Sequence, residues 1–389
     1  MYYRPNKIND ALNSLSKQKL TIAAGCTDLL PSTQEDNLGN DILDVSGIKS
    51  LRNITFENGF RKIGSGVTWT DLVENNDLPK CYDMLKECSL QIGSRQIQNL
   101  GTIGGNLCNA SPAADGVPCL LSLDASIELL SVNGKRVLKL EDFIKGSRKT
   151  ELQNDEILSA ILIPKEAELG NSSFLKLGAR KYLVISIAMI ACKLNLKKDI
   201  ISDIAISIGS CSAVAKRITL LENLLIGKSI KDELTTIILN FNYEKYLSPI
   251  NDIRGTNLYR LQVSKVLVKD TIINTINKFK EMNSEVKIIA SVGPCIEKES
   301  YEVGKDFFED FLKESENNKN YFERLSELKF LFNIRGYVNN KLKECGVSEI
   351  DNVKGNTFND SDNFFSYRRA KKLGKPDYGR CISTICLKT

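Results

Sequence analysis

The chain has 389 residues, 42% of them hydrophobic, which is long enough for about two or three globular domains. It contains no histidine, which excludes His-based hydrolytic triads and His-ligated metal sites. Its 53 basic and 48 acidic residues are mixed along the chain and give a formal net charge of +5, which is typical of a solvated surface and argues against nucleic-acid binding.

The sequence predicts a cytoplasmic protein that does not span a membrane. The longest apolar run, residues 182–192, is shorter than the roughly 20 residues of a membrane helix, and the first residues lack the basic and apolar segments of an export signal. The 11 cysteines are therefore expected to be reduced. None of them forms a Cys-x-x-Cys pair, so no iron–sulfur or zinc site is predicted in this chain.

Predicted strands and helices alternate over the first 165 residues, which indicates an α/β fold. A helical apolar pattern near residues 8–15 leads into a short buried strand at 20–24. Asn-Gly pairs at 58–59 and 133–134 predict β-hairpins, and an apolar run at 156–163 predicts a strand that ends at a proline.

The turn after the first buried strand has the composition of an anion-binding loop. Gly25-Cys26-Thr27-Asp28 combines a glycine with small polar residues, so consecutive backbone N–H groups could form a concavity for an anion. The motif has little specificity when taken alone, because an ordinary turn can have the same composition.

Residues 91–120 form the most unusual segment of the chain. Gly104 and Gly105 precede Asn106, and backbone with φ > 0 at the glycines could present N–H groups to a phosphate. An isolated Gly-Gly pair is more often a simple turn. Small residues at 111–114 would let a flat ligand approach the backbone, and Asp115 could accept hydrogen bonds from ribityl or ribose hydroxyls.

From residue 173 the pattern changes to longer strands and helices, which predicts a separate α+β domain. Strands are predicted at 174–177 and 203–208, and helices around 218–225, 232–239 and 258–279.

Segment 91–120 resembles, almost residue for residue, the second flavin-binding segment of the FAD-binding subunit of molybdenum hydroxylases, the xanthine dehydrogenase and carbon monoxide dehydrogenase family. Residues 24–30 resemble its first segment, which usually contains Gly-Gly; here Cys26 replaces the second glycine, and its Cβ would carry strain at φ > 0. The resemblance extends to residue 280. It implies a two-subdomain FAD-binding fold of vanillyl-alcohol-oxidase (PCMH) type over residues 1–168, followed by an α+β C-terminal domain over 169–280.

The resemblance also implies a non-covalently bound FAD. Backbone amides of residues 25–27 and 104–106 are expected at its diphosphate and Asp115 at its hydroxyls. Leu158 and Lys176 are expected beside its ring system; without the resemblance they would be a core leucine and a surface lysine. No catalytic acid or base and no metal ligand is implied. The full set of expected cofactor-binding residues is Ala24, Gly25, Cys26, Thr27, Asp28, Leu29, Thr102, Ile103, Gly104, Gly105, Asn106, Asp115, Leu158 and Lys176.

The implied function is electron transfer within a heteromeric complex. One partner subunit would oxidise the substrate at a molybdenum cofactor, and a second would relay electrons through two [2Fe-2S] clusters to FAD, which would pass them to NAD⁺ or another acceptor. Metal and clusters would belong to the partners. The alternative is an assembly subunit that has lost FAD, an interpretation supported by Cys26. Purine metabolism is favoured only by association, because both resemblances of this chain lead there.

Residues 285–389 resemble the C-terminal half of a second family, the laccase-domain purine nucleoside phosphorylases, formerly described as multicopper polyphenol oxidases. The most specific match is the run NFFSYRR at 363–369. The half that carries the metal-binding Cys and His residues in that family is missing, which implies a truncated α/β module with a structural role. Nucleoside phosphorolysis is the alternative. For the basic residues within 368–375 we weigh a phosphate or nucleic-acid site against a solvated loop and favour the loop.

Overall fold

The computed structural model describes residues 1–31, 41–283, 289–347, 349–377 and 379. The chain forms two compact units, Met1–Asn283 and Ser284–Thr389. No helix within the described residues is long and apolar enough to cross a lipid bilayer. The domain boundaries predicted from the sequence stay predictions.

The elements of the first unit are, in chain order, β1 (Tyr2–Tyr3), α1 (Ile8–Leu15), β2 (Thr21–Ala23), β3 (Ile42–Asp44), β4 (Ile54–Glu57), β5 (Phe60–Gly64), α2 (Trp69–Glu74), α3 (Asp83–Ser89), α4 (Arg95–Leu100), α5 (Ile103–Asn109), α6 (Gly116–Ser122), β6 (Ser126–Ser131), β7 (Gly134–Lys139), α7 (Leu140–Phe143), β8 (Ile144–Gly146), β9 (Lys149–Thr150), β10 (Ile157–Pro164), β11 (Asn171–Leu177), β12 (Ala188–Lys197), β13 (Ile200–Gly209), β14 (Lys216–Arg217), α8 (Thr219–Leu225), α9 (Leu234–Asn240) and α10 (Asn257–Asn283).

The N-terminal part begins with a small parallel sheet of order β1-β3-β2. Helix α1 buries Leu12 and Leu15 in the same core as Leu43 of β3, so the predicted helix and strand pack as the apolar spacing indicates. Ile157 of β10 belongs to this core and connects it to the next sheet.

The second sheet is antiparallel and has the order β4-β5-β10-β6-β7. Both predicted Asn-Gly hairpins are present: Asn58 and Gly59 adopt φ of 52° and 81°, and Gly134 opens β7 with φ 128°. The predicted strand at 156–163 is the central strand β10. Its pairing with β6 shifts register between Leu158 and Ala160, which marks a β-bulge.

The third sheet, of order β11-β12-β13-β14, is covered by α10 and confirms the predicted α+β pattern. Strand β12 was not predicted from the sequence. Its residues alternate between two cores, with Met189 and Ala191 in one and Ile190 and Cys192 in the other. A strand buried on both faces is a continuous apolar run without polar alternation, so periodicity does not reveal it.

The second unit contains, among its described residues, β15 (Ile289–Val292), β16 (Glu302–Gly304), α11 (Lys305–Glu314), β17 (Phe322–Arg324), β18 (Lys329–Phe332), α12 (Ile334–Glu344), β19 (Glu349–Asn352) and α13 (Tyr367–Lys372). Strands β16, β18 and β17 form an antiparallel sheet, and β15 pairs with β19 in parallel. The core is aromatic, with the rings of Phe308 and Phe330 stacked at 4.2 Å between centroids. Residues 285–288, 348, 378 and 380–389 of the predicted module lie outside the described residues.

The basic cluster of the second unit is part of its packing. Arg369 donates hydrogen bonds to the carbonyl oxygens of Thr357 and Phe358 at 2.9 and 2.8 Å. The guanidinium of Arg368 lies 4.6 Å from the ring centroid of Tyr301. Both arginines lie on α13, so the prediction of a solvated loop was wrong in its secondary structure. These contacts give the arginine pair a structural role within the unit.

Candidate functional site

A cavity of about 1230 Å³ lies within the first unit. It exceeds the roughly 300–1000 Å³ typical of pockets for drug-sized ligands, so it has room for a larger, elongated molecule. All the cofactor-binding residues expected from the sequence line it except Ile103, which is fully buried in the core. Segments distant in sequence, 22–29, 92–115 and 176–185, therefore meet around one cavity.

The first lining segment is the loop that follows β2. A Cβ on Gly25 would lie 1.9 Å from the carbonyl oxygen of Leu100, so only glycine permits this close approach of two backbones. The N–H groups of Gly25, Cys26 and Thr27 have no acceptor among the residues that the structure describes. They are therefore available to an anion in the cavity.

Cys26 adopts φ +55°, the left-handed conformation that its Cβ was expected to disfavour. The replacement of glycine has not removed the turn, because the backbone accepts a strain of about 1–2 kcal/mol at this position. Burial raises the pKa of the Cys26 thiol, and the nearby Asp44 carboxylate raises it further. The residue is consequently a neutral thiol at neutral pH.

The glycine pair corrects a prediction. Gly104 and Gly105 lie in the first turn of α5 and not at φ > 0. Thr102 caps this helix, its side chain accepting from the Gly105 N–H at 3.0 Å, so the local hydrogen bonds favour helix over a left-handed turn. The backbone N–H groups of this segment already donate to protein acceptors, namely Ile103 to Val67 O, Gly104 to Ser65 O, Gly105 to Thr102 Oγ1 and Asn106 to Thr102 O.

Steric reasons explain the two glycines. A Cβ on Gly104 would lie 2.5 Å from the Cβ of Ser65, so Gly104 permits the close packing of α5 on the turn after β5. A Cβ on Gly105 would meet only Thr102 Oγ1, at 2.9 Å. Gly105 also lines the cavity. The absence of a side chain at Gly105 therefore leaves space for a ligand. At Gly104 the absence of a side chain instead makes room for the neighbouring protein segment.

Asn106 lines the cavity, and its side-chain oxygen is an orphaned polar atom that lies beneath the cavity surface. Its Oδ1 is buried and has no hydrogen-bond partner among the described residues. An unpaired buried acceptor costs about 1–3 kcal/mol, which a ligand donor would offset. Because Oδ1 accepts and cannot donate, it fits a hydroxyl or a ring N–H and not a phosphate oxygen.

Asp115 and Lys176 form a buried ion pair on the cavity wall. Lys176 Nζ lies 2.6 Å from Asp115 Oδ2, and the two side chains are 6% and 8% exposed. Ser186 donates to Asp115 Oδ1, and Lys176 also donates to the Gln91 carbonyl oxygen at 3.3 Å. Burial raises the pKa of Asp115, although the Lys176 ammonium opposes the rise. Both carboxylate oxygens thus already have protein donors, and Asp115 holds Lys176 in place.

Leu158 lies at the bulge of β10, where the strand meets the cavity. It is buried in the hydrophobic core and lines the cavity as well. A leucine in this position contributes an apolar side chain to the cavity wall.

Arg148 is a lining residue that sequence analysis missed. It lies in the turn between β8 and β9, and its Nη1 is 2.8 Å from Asp28 Oδ2 and also donates to Asn109 Oδ1. The sequence around it, GSRKT, resembles an ordinary basic hairpin turn, so no local signal distinguishes it. Only the fold brings it to the predicted loop 25–28.

The site contains no metal centre within the part of the chain that the structure describes. No group of three or more His, Cys, Asp or Glu residues there could hold a metal ion, and its cysteines are free thiols. Three features of the site fit FAD. The loop amides suit its anionic diphosphate, and the space that a Gly105 Cβ would fill gives the cofactor room. The orphaned acceptor suits a ribityl hydroxyl or a ring N–H.

Comparison with protein families divides the chain into three matches. Residues 1–166 match the FAD binding domain in molybdopterin dehydrogenase, and residues 173–275 match the CO dehydrogenase flavoprotein C-terminal domain. Residues 265–388 match the multi-copper polyphenol oxidoreductase laccase family. The order of these matches agrees with both resemblances found in the sequence.

Individual relatives agree with the family matches. The chain is 30% identical over 283 residues to the glyceraldehyde dehydrogenase medium chain of Sulfolobus acidocaldarius, covering 72% of this chain and 97% of that protein. It is 32% identical over 212 residues to a putative xanthine dehydrogenase FAD-binding subunit of Escherichia coli, covering 54% and 73%. A crystal structure of the Cu,Mo-CO dehydrogenase in its cyanide-inactivated form superposes with a TM-score of 0.65 at 25% identity, covering 70% of this chain and 96% of that one.

The identity and coverage of these relatives confirm the predicted family and fold class. Their names are those of medium or FAD-binding subunits of oxidoreductases. The chain belongs to the family of FAD-binding medium subunits of molybdenum hydroxylases, the xanthine dehydrogenase and carbon monoxide dehydrogenase family, and carries in addition a C-terminal laccase-like region.

Proposed function

We propose that the chain holds one FAD non-covalently in the cavity and conducts electrons from iron–sulfur clusters of one partner subunit to NAD⁺ or another acceptor. A second partner subunit carries the molybdenum cofactor. The observation that carries this proposal is the cavity itself, which gathers the two glycine segments, the orphaned Asn106 Oδ1 and the Asp115–Lys176 pair. When bound, FAD supplies the exchange between one-electron donors and a two-electron acceptor.

Different residues along the cavity bind different parts of the cofactor. The N–H groups of Gly25, Cys26 and Thr27, which have no acceptor among the described residues, bind the diphosphate. The segment at Gly105 contributes space, since its N–H groups already donate to acceptors within the protein. Asn106 Oδ1 accepts from a hydroxyl or ring N–H of the cofactor once its side chain turns toward the cavity.

The ring end of the cavity is set by Leu158 and Lys176. Asp115 and Ser186 fix the Lys176 ammonium in a buried position, where a positive charge stabilises electrons that arrive on a neighbouring group. Leu158 adds an apolar, buried side chain to the cavity lining. No proton transfer by the protein is required for hydride transfer, which agrees with a chain without histidine.

The alternative of an assembly subunit without FAD rested on Cys26. Because Cys26 adopts the left-handed conformation and the amides around it remain available, the substitution does not argue for loss of the cofactor. Nucleoside phosphorolysis by the C-terminal region gains no support from its packed arginine pair.

Reduction of the loaded chain by NADH tests the proposed acceptor. If NAD⁺ accepts the hydride, the reverse reaction is also catalysed, and anaerobic NADH is expected to bleach the flavin absorption of the FAD-loaded chain. A stopped-flow trace with NADH, and a parallel trace with a chemical reductant as control, measures this. Uptake of FAD without reduction by NADH would contradict NAD⁺ as the acceptor, and failure to take up FAD would contradict the proposal as a whole.

Truncation after Asn283 is expected to leave the affinity for FAD unchanged, because every residue that lines the cavity lies between residues 22 and 185. Trp69, the single tryptophan of the chain, lines the cavity, so quenching of its fluorescence by FAD measures the dissociation constant of both proteins. The full chain is also expected to release no base from inosine or adenosine in phosphate buffer. Loss of flavin on truncation would contradict the assignment of FAD binding to the first unit. Base release would contradict the absence of phosphorolysis by the second unit.

A further inference from the structure

Two ion pairs line the cavity, and they differ in how many donor groups of the cation form hydrogen bonds with the protein. Lys176 is buried and donates to both Asp115 and the Gln91 carbonyl oxygen. Arg148 is 53% exposed at its side chain, and its hydrogen bonds to described residues, Asp28 and Asn109, both come from Nη1. Its Nε and Nη2 have no acceptor among the described residues, so the guanidinium keeps donors for a ligand.

The position of Arg148 is set by its partner in the anion-binding loop. Asp28 directly follows Thr27, whose N–H group is one of the loop amides without an acceptor in the described part of the chain. A guanidinium held 2.8 Å from Asp28 therefore lies at the same end of the cavity as those amides. A diphosphate carries two negative charges, and a planar guanidinium matches phosphate oxygens bidentately.

The backbone at Arg148 is strained. Its φ is +57°, a conformation that glycine or asparagine adopts with less strain, and it is held by the hydrogen bond from its N–H to the Ala110 carbonyl oxygen at 2.8 Å. Ala110 ends α5 with φ +46°. Strain of this kind persists in proteins where the surrounding structure imposes it, and it is found most often at functional sites.

We infer that Arg148 is the charge partner of the FAD diphosphate and makes the site prefer FAD over flavins without a phosphate. This inference rests on the proposed function. It adds to the FAD site a residue that lies outside the segments recognised from the sequence. Asp28 and Asn109 orient the guanidinium through Nη1, and the free Nε and Nη2 are the donors to the diphosphate.

The test compares the wild-type chain with Arg148→Gln and Arg148→Lys, titrated with FAD and with riboflavin and followed by Trp69 fluorescence. Arg148→Gln is expected to weaken FAD binding about tenfold, the effect of a charged hydrogen bond at a half-exposed site, and to leave riboflavin binding unchanged. The dependence of FAD affinity on salt concentration should become shallower. Arg148→Lys keeps the positive charge but loses the planar, bidentate arrangement of donors. Its affinity for FAD should therefore lie between those of the wild type and Arg148→Gln.

Lys149→Ala is the matched control, because Lys149 is the neighbouring exposed cation at the start of β9 and does not line the cavity. It should bind both flavins as the wild type does. A purely structural role for Arg148 would instead weaken FAD and riboflavin equally, lower the melting temperature of the FAD-free protein and leave the salt dependence unchanged. That pattern, or unchanged FAD affinity in Arg148→Gln, overturns the inference while the proposed function stands. A wild-type chain that takes up no FAD overturns both.

Discussion

Replacing Gly105 with valine is expected to abolish FAD binding while the chain still folds. The new Cβ would meet only Thr102 Oγ1 within 4 Å of protein, so the branched side chain would project into the space that the cofactor needs. We expect the dissociation constant for FAD to rise by at least about a hundredfold, which corresponds to about 2.7 kcal/mol. Loss of the Thr102 cap should cost about 1 kcal/mol of folding stability.

Titration with FAD and thermal unfolding of the FAD-free protein separate the two effects. Gly104→Ala is the matched control on the adjacent residue. Its Cβ would lie 2.5 Å from the Cβ of Ser65 and 2.7 Å from the Ser65 carbonyl oxygen, so it should lower the melting temperature more than Gly105→Val does. Wild-type affinity for FAD in Gly105→Val would remove this segment from the site.

Replacing Lys176 with methionine is expected to destabilise the folded chain strongly at neutral pH. The change leaves the Asp115 carboxylate buried without its cation, and breaking a buried pair in this way costs about 3–5 kcal/mol. Chemical unfolding at several pH values measures the effect. The double variant Asp115→Asn with Lys176→Met should recover most of the lost stability, because no uncompensated charge remains.

The loss in Lys176→Met should shrink as the pH falls. Burial raises the pKa of Asp115 and the Lys176 ammonium opposes the rise, so removing Lys176 lets this pKa rise further. A carboxyl whose pKa is raised in the folded state favours folding at low pH, and this contribution is lost as the pH rises through the raised value.

The exposed pair of Lys231 and Asp199 provides a comparison at the same separation of 2.6 Å, with side chains 76% and 50% exposed. Lys231→Met should leave stability almost unchanged, because water screens this pair. Equal losses in Lys176→Met and Lys231→Met would contradict the role of burial. A loss in Lys176→Met that did not depend on pH would contradict the ionised state of Asp115.

Much of the fold followed from local sequence. The hairpin at Asn58 and Gly59 was predictable because this pair adopts positive φ with little strain, and helix α1 was predictable because its apolar residues repeat at helical spacing. Strand β12 was not predictable from periodicity, since a core lies on each of its faces and its first five residues, Ala188–Cys192, are all apolar.

The glycine pair shows that a sequence motif can locate a segment without predicting its backbone conformation. The motif identified a segment that lines the cavity, but the expectation of positive φ was wrong, because the Thr102 cap begins a helix there. Gly104 is required by the distance to Ser65, which lies on another element and cannot be inferred from neighbours in sequence.

The sequence by itself determined the family, the succession of α/β and α+β regions and two of the segments that line the cavity, because these depend on short-range conformational preferences and on motif composition. Tertiary structure decided which charges meet. Lys176 pairs with Asp115 across 61 residues, and Arg148 pairs with Asp28 across 120. Such pairs form only when packing brings distant segments together and removes water between them, so neither the buried state of Lys176 nor the position of Arg148 at the cavity is encoded in any local pattern.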